Sequence, residues 1–308
     1  MGYIYRLAGE NLELAEAELK GFLESQDIEE RPSRKGRLAE TSSEPSQLKR
    51  LAQTHEISRK LFEGQLENYQ PDLNLDGSFK VKAHNLTEQE IDKKGIEEQL
   101  GGKITGEVNL EHPKNTIHVY QTEKSNYLIG LEVENIERTL FDERKNQERP
   151  FSSPISMDPK LARTLVNLSG AKPGTHLLDP FCGTGGILIE AGLCGIGVHG
   201  LDIQKEMVQG SSKNLEEYGI IAHDIQQGDI QEIDHLFNLE NIETVISDLP
   251  YGKASKKTEE PVKGFLEFLE KFDGNTVFVY NEPELENHTY EHKVYVHGSL
   301  TRYIYCLD

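Results

Sequence analysis

From Pro154 onward the chain alternates strand-like and helix-like stretches, and this alternation restricts the fold more than any other feature. A helical pattern over Pro159–Leu168 leads into HLLD, a glycine-rich turn and ILIEAGLCG. GVHGLD, a helix over about 204–218 and HDIQQGD follow, then TVISDLPYG, a helix over about 261–272 and TVFVYNE. Alternating βα units imply an α/β fold, a mostly parallel sheet covered by helices on both faces. The chain ends in HKVYVHGSLTRYIYCLD, two β-rich runs joined at Gly298-Ser299, which places an antiparallel element at the sheet edge.

The first half reads differently. Tyr3–Leu7 is strand-like, and Leu12, Leu14, Ala15, Leu19, Phe22 and Leu23 recur at helical spacing. Short strands are expected around the basic segment 31–37. Leu48, Leu51, Ile57, Leu61 and Phe62 suggest one or two helices over roughly 45–65. Residues 78–83 alternate as a strand, and Thr87-Glu88-Gln89-Glu90 is a capping-box pattern for a helix closed by Gly101-Gly102. A short strand is expected at 107–110, and longer ones at 116–121 and 126–133. The polar stretch 136–153 reads as a linker. The expected organisation is 1–45, 46–135, linker 136–153, and 154–308.

The 308 residues have room for two domains. No apolar run is long enough to cross a bilayer, and the acidic, amphipathic N-terminus lacks a secretory design, so a cytoplasmic protein with no membrane partner is expected. Three cysteines give no disulfide framework and no CxxC pair. The spacing of His288, His292 and His297, without a helical pattern or nearby carboxylates, does not suggest a metal site. The net charge of -20 argues against a nucleic-acid partner. Its distribution argues the other way, since 21 of the 33 basic residues fall in residues 1–150, some clustered at 31–37.

Four motifs carry chemistry. In LLDPFCGTGGILIEA, 177–191, a strand ends at Asp179, and Gly183 and Gly185 let the chain turn tightly before a helix. Such a turn lies at the C-terminal edge of the sheet, where open α/β folds bind ligands. No Lys follows the glycines, which excludes a GxxxxGK[ST] phosphate loop, and Leu188 replaces the third glycine of a dinucleotide pattern. Asp179 would repel a phosphate but suits a cationic amino group. S-adenosylmethionine carries that group and no phosphate. Cys182, inside the turn, is a cofactor contact or packing residue rather than a nucleophile. Asp202 ends the next strand, where a carboxylate accepts both ribose hydroxyls. Asp229 follows a third strand, where a side chain meets the adenine amino group.

The fourth motif is Asp248-Leu249-Pro250-Tyr251. An exocyclic amine on a base is a poor nucleophile because its lone pair is delocalised into the ring. Acceptors on its two N–H groups, Asp248 and the Leu249 carbonyl, would aim that lone pair at a methyl, while Tyr251 stacks on the base. Lys253, Lys256 and Lys257 follow directly and could contact phosphates beside a flipped-out base.

Residues from about 150 resemble class I S-adenosylmethionine-dependent methyltransferases, and DLPYG resembles the [DNS]-PP-[YF] motif of those that methylate amino groups on bases. PFSSPISMDPKLARTLVNLSGAKPG, together with DPFCGTGG, is similar to the tRNA guanine-10 N2-methyltransferase family of archaea and eukaryotes. EVNLEHPKNTIHVYQTEKSNYLIGLEV, 107–133, resembles part of a THUMP domain.

The resemblance implies a Rossmann-like methyltransferase domain with a seven-stranded sheet, preceded by a ferredoxin-like and THUMP region that docks tRNA. Arg31, Arg34 and Lys35 are the expected RNA contacts there. It implies methyl transfer to a guanosine N2, at position 10, once or twice, and a small zinc-binding activator subunit in some lineages. The alternatives are another tRNA or rRNA guanosine N2-methyltransferase, or an RNA-binding protein with a lapsed site. Leu249 departs from the family pattern, since a proline is expected there, and this puts the stiffness of the loop in question.

Overall fold

The computed structural model describes all residues except 1, 87–89, 124, 155, 222, 252–255, 286–287, 299 and 308, and omits the side chains of 256–259 and 297. The chain forms two compact units. The first comprises Met1–Glu16, Glu30–Lys49 and Thr54–Glu137; the second comprises Ala17–Glu29, Arg50–Gln53 and Arg138–Asp308.

The first unit is built on seven strands: β1 (Tyr3–Leu7), β2 (Ser33–Lys35), β3 (Leu38–Thr41), β4 (Thr54–Gly64), β5 (Phe79–Asn85), β6 (Asn115–Glu123) and β7 (Asn126–Asn135). Their order is β2-β3-β1-β4-β7-β6-β5, antiparallel except for β5 with β6. Helix α1 (Leu12–Glu24) begins in this unit, and its residues from Ala17 belong to the second. Helix α2 (Lys93–Gly101) covers β5, its Glu97 accepting from the Ala83 amide at 2.8 Å. Phe79, Leu100, Ile117 and Ile129 lie in the core beneath it.

Three local expectations for this unit need correction. The helices expected over 45–65 are a three-residue 3-10 turn, Leu48–Arg50, followed by the eleven-residue β4. Ile57, Leu61 and Phe62 satisfy helical spacing, but β4 pairs on both sides, with β1 and β7, and that pairing overrides the weak helical period. Helix α2 starts at Lys93, capped by the Asp92 carboxylate on the Gly95 amide at 2.9 Å. The capping box at Thr87 lies outside the described residues, apart from Glu90. At 107–110 there is a single bridge, Val108 to Phe79, and Val108 and Leu110 are exposed. A strand there would bury little apolar surface.

The second unit continues with α3 (Thr139–Asp142), α4 (Pro159–Leu168), β8 (His176–Asp179), α5 (Gly186–Gly192), β9 (Gly197–Asp202), α6 (Lys205–Glu217), β10 (His223–Gln227) and α7 (Ile233–Leu236). Then come β11 (Thr244–Asp248), α8 (Lys256–Leu269), β12 (Asn275–Tyr280), the short pair β13 (Glu284–Leu285) and β14 (His288–Thr289), β15 (His292–His297) and β16 (Leu300–Leu307). Seven of these strands form one sheet in the order β10-β9-β8-β11-β12-β16-β15. The first five are parallel, and the β15–β16 hairpin adds the antiparallel edge. The α/β architecture and the mostly parallel seven-stranded sheet are therefore as expected.

Residues outside the expected 154–308 range contribute to this unit. In the stretch read as a linker, Arg144 forms a bidentate pair with Glu190, at 2.7 and 3.1 Å. Arg163 reaches the same fully buried carboxylate at 2.8 Å. The Phe151 ring lies against Gly210, where a Cβ would come within 2.0 Å of it. On α1, the buried Glu18 accepts from the Ala52 and Gln53 amides and from Asn167 on α4. Among the described residues, no helix is long and apolar enough to cross a membrane.

Candidate active site

In the sheet of the second unit, β8 lies between β9 and β11, so successive connections leave it in opposite directions. That topological switch opens a crevice at the C-terminal ends of the strands. A cavity of about 440 Å³ occupies it, and its walls include Asp179, Asp202, Asp229 and Asp248. These acids end or follow β8, β9, β10 and β11, so the four motifs, 69 residues apart at their extremes, meet in one place.

Asp179 is fully buried. The Ser247 hydroxyl donates to its Oδ1 at 2.6 Å and the Phe181 amide to the same oxygen at 3.1 Å. Burial, reinforced by the Asp248 and Asp202 charges, outweighs those two bonds and pushes its carboxyl up to about 7. Asp202 accepts from the Gln204 amide on Oδ1, at 2.8 Å, and from the Gly183 amide on Oδ2, at 3.1 Å. Each oxygen keeps a second lone pair for a further donor. Gly183 has φ 51°, and a Cβ there would meet nothing within 4 Å, so its backbone forms an open part of the wall.

Gly185 has a different place. It is the left-handed N-cap of α5 with φ 78°, is absent from the cavity wall, and a Cβ would crowd Ser211 at 3.2 Å. Its glycine is required by the turn and by packing against α6 rather than by a ligand. Cys182 lines the cavity, and burial pushes its thiol well up, away from the reactive thiolate. Asp229 also lines it and caps the short turn Ile230–Glu232, its Oδ1 accepting from the Gln231 amide at 3.0 Å.

Asp248, Leu249, Pro250 and Tyr251 form another part of the wall. Leu249 is fully buried in the core with Phe265 and Phe278, and its amide donates to the Val279 carbonyl at 2.9 Å. This extends the β11–β12 pairing by one bond into the loop. A proline could not make that bond. The leucine thus anchors the start of the loop where the sequence suggested slackness.

Arg302, on β16, is a site residue that sequence reasoning missed. Buried to 5% exposure, it donates from one terminal nitrogen to Asp248 Oδ2 at 2.8 Å and to the Tyr251 hydroxyl at 3.1 Å. Its guanidinium carbon stands 5.9 Å from the Tyr251 ring centre. Asp248 Oδ1 is buried with no hydrogen-bond partner among the described residues. Burial raises the Asp248 carboxyl, and Arg302 opposes the shift. The available signal was an arginine within TRYIY at an alternation position shared with Ile304.

Arg31 is exposed, but Arg34 pairs with Glu16 and Lys35 pairs with Glu123, all in the first unit. Lys253 lies outside the described residues, and Lys256 and Lys257 are described only as backbone at the start of α8. The first unit also gathers Glu56, His84 and His118, a group with the spacing of metal ligands. Arg6 clasps both Glu56 oxygens, Tyr120 donates to Glu56 at 3.2 Å, and His118 reaches Glu132 at 2.8 Å. Burial pushes His84 down to about 2, and its ring meets that of His118 at 2.8 Å, so the cluster is a hydrogen-bonded network satisfied by its own neighbours.

The strand order, the switch-point cavity and the acid-ended strands define a class I methyltransferase fold, whose cofactor is S-adenosylmethionine. Residues 146–275 match the family model of the RMKL-like methyltransferase domain, UPF0020. The chain is 35% identical to the tRNA (guanine(10)-N2)-dimethyltransferase of Pyrococcus abyssi, over 76% of this chain and 75% of that protein. It is 35% identical to the Methanothermobacter thermautotrophicus enzyme of the same name, over 87% and 84%. The crystal structure of TrmN from Thermus thermophilus shares the fold, with a TM-score of 0.55 at 17% identity, covering 99% of each chain. The chain belongs to the tRNA (guanine(10)-N2)-methyltransferase family.

Proposed function

We propose that this protein transfers methyl groups to the N2 amine of G10 in tRNA, once or twice, with Asp248 and Tyr251 at the amine and the base. The observation that carries the site assignment is that Asp248 lines the switch-point cavity and that its buried Oδ1 has no hydrogen-bond partner among the described residues. An acceptor kept dry and unsatisfied costs stability unless a donor arrives, and an exocyclic N–H is such a donor.

The residues present fit the cofactor. A buried carboxylate, a backbone wall without a Cβ and a second carboxylate suit an amino group, close approach and a ribose diol. S-adenosylmethionine, when bound, supplies a methyl already activated on a sulfonium and leaves as the neutral thioether. Asp179 would hold its amino group, Asp202 its ribose and Asp229 its adenine amine, with Cys182 and Gly183 against it. Asp248 and the Leu249 carbonyl would accept the two N–H groups of the base amine, and Tyr251 would stack on its face. As the nitrogen gains the methyl it sheds one proton, for which Asp248 Oδ1 is the nearby acceptor. The chain's contribution is positioning and exclusion of water.

In this reading the first unit contains the ferredoxin-like and THUMP regions and holds the tRNA, with Arg31, Arg34, Lys35, Lys253, Lys256 and Lys257 as phosphate contacts, in the cytoplasm. The test is unmodified tRNA with labelled cofactor, followed by mapping of the modified nucleoside by mass spectrometry. Label on N2 of G10 supports the reading; label on another guanosine overturns it. Asp248→Ala should abolish turnover while cofactor affinity falls only modestly. Running the assay with the purified chain alone also tests the zinc-binding activator implied by the resemblance, which full turnover would make unnecessary.

A further inference from the structure

We infer that Arg302 is a positioning residue for methyl transfer, holding Asp248 through Oδ2 and Tyr251 through its hydroxyl so that Oδ1 alone faces the incoming amine. This rests on the reading that Asp248 and Tyr251 meet the amine and the base. The geometry supplies three arguments.

First, one Arg302 nitrogen serves both groups, at 2.8 Å and 3.1 Å, so their relative placement is set by a single planar guanidinium. Second, the two carboxylate oxygens are unequal: Oδ2 has the cation, while Oδ1 has no partner among the described residues. A carboxylate free at both oxygens could rotate and offer the amine either one. Third, the antiparallel edge explains why a residue so late in the chain arrives here. β16 runs opposite to β12, with Tyr303 beside Tyr280, so the first residues of β16 lie at the C-terminal ends of the parallel strands. Within the hairpin Arg302 is registered with Val294.

The same cation favours the ionised carboxyl. Among the described residues, the titratable groups that interact with Asp248 are Arg302 on β16, Tyr251 in the loop and Asp179 on β8. Burial raises the Asp248 carboxyl and Arg302 is the cation opposing it. Without Arg302, the carboxyl takes up its proton at higher pH and loses acceptor capacity.

The experiment is single-turnover methylation of unmodified tRNA by wild type, Arg302→Gln, Arg302→Lys, Asp248→Asn and the Arg302→Gln/Asp248→Asn double variant. Cofactor affinity is measured by calorimetry alongside. Arg302→Gln should lower the rate about 100-fold, with KM for tRNA and cofactor affinity within about threefold of wild type. The acidic limb of its pH–rate profile should move up by about one unit or more. Arg302→Lys keeps a charge, but on a flexible stem in place of the planar guanidinium that fixes the shared nitrogen, so it should lose about tenfold with a smaller shift. The double variant should be slower than Asp248→Asn by far less than about 100-fold, because Arg302 acts largely through Asp248 and only the remainder through Tyr251.

A folded Arg302→Gln enzyme with an unmoved acidic limb and near-wild-type rate overturns the proposal. If Arg302→Gln does not fold, a wild-type rate in Arg302→Lys overturns it. Near-normal turnover in Asp248→Ala, which removes the acceptor that Asn would keep, would instead overturn the underlying site assignment, which separates the two failures.

Discussion

At the scale of single residues, the most exposed consequence is that of Asp179. Its carboxyl titrates at about 7 because it is buried beside Asp202 and Asp248, with only the Ser247 hydroxyl and the Phe181 amide as described donors. An unfolded Asp titrates near 3.9, so the native state holds an extra proton between those values. The contribution of this residue to stability therefore falls as pH rises from about 4 to 7 and levels off above. Only the ionised form attracts an amino group. Cofactor affinity should rise about fivefold from pH 6 to 7.5, allowing for an α-amino group that itself titrates near 7.8. Calorimetric titration at the two pH values measures this, and Asp179→Asn should bind more weakly with a flatter dependence. Equal wild-type affinity at both values would show that another group holds the amine.

At the scale of elements, the loop after β11 depends on its leucine. Leu249 fills part of the core with its side chain and closes a hydrogen bond to Val279 with its amide. Leu249→Pro restores the residue expected in the family motif, yet in this chain it removes both contributions. A buried Leu cut to a smaller residue costs about 2–5 kcal/mol and the lost bond about 1 kcal/mol. Leu249→Pro should therefore lower stability by about 3 kcal/mol or more in chemical denaturation. An unchanged midpoint would mean that the core around Phe265 and Phe278 repacks at no cost.

The element scale also shows what was legible in the sequence. The acids at the ends of β8, β9 and β11 could be read because each follows a short apolar run and each signal is local. Their convergence followed from the parallel topology alone. β4 was misread because Ile57, Leu61 and Phe62 satisfy helical spacing, and only two partner strands, distant in sequence, decide between the periods. Arg302 was missed for a related reason: its contact with Asp248 spans 54 residues and depends on the register of the edge hairpin, which local pattern does not specify. Leu249 was visible as a departure from the motif, but its anchoring role needed the position of Val279.

At the scale of the whole molecule, a chain of net charge -20 has to engage a polyanion. The average field repels phosphate, so attraction must come from local cations. Two of the proposed contacts are already engaged, Arg34 by Glu16 and Lys35 by Glu123. The Lys35–Glu123 pair is largely exposed and the Arg34–Glu16 pair only partly buried, so a phosphate can compete for the cations, but the carboxylates oppose the exchange. Neutralising them should remove that opposition. A Glu16→Gln/Glu123→Gln variant should bind tRNA several-fold tighter at low salt and show a steeper decline of affinity with salt, by up to about two phosphate contacts. Glu216→Gln/Glu217→Gln, at exposed positions on α6 in the second unit, makes the same change in net charge without touching either ion pair of the basic segment. If the gain reflects cations meeting phosphate, the first variant must exceed the second in filter-binding titrations across a salt series. Equal gains would show that tRNA responds only to net charge and that Arg34 and Lys35 lie outside its path.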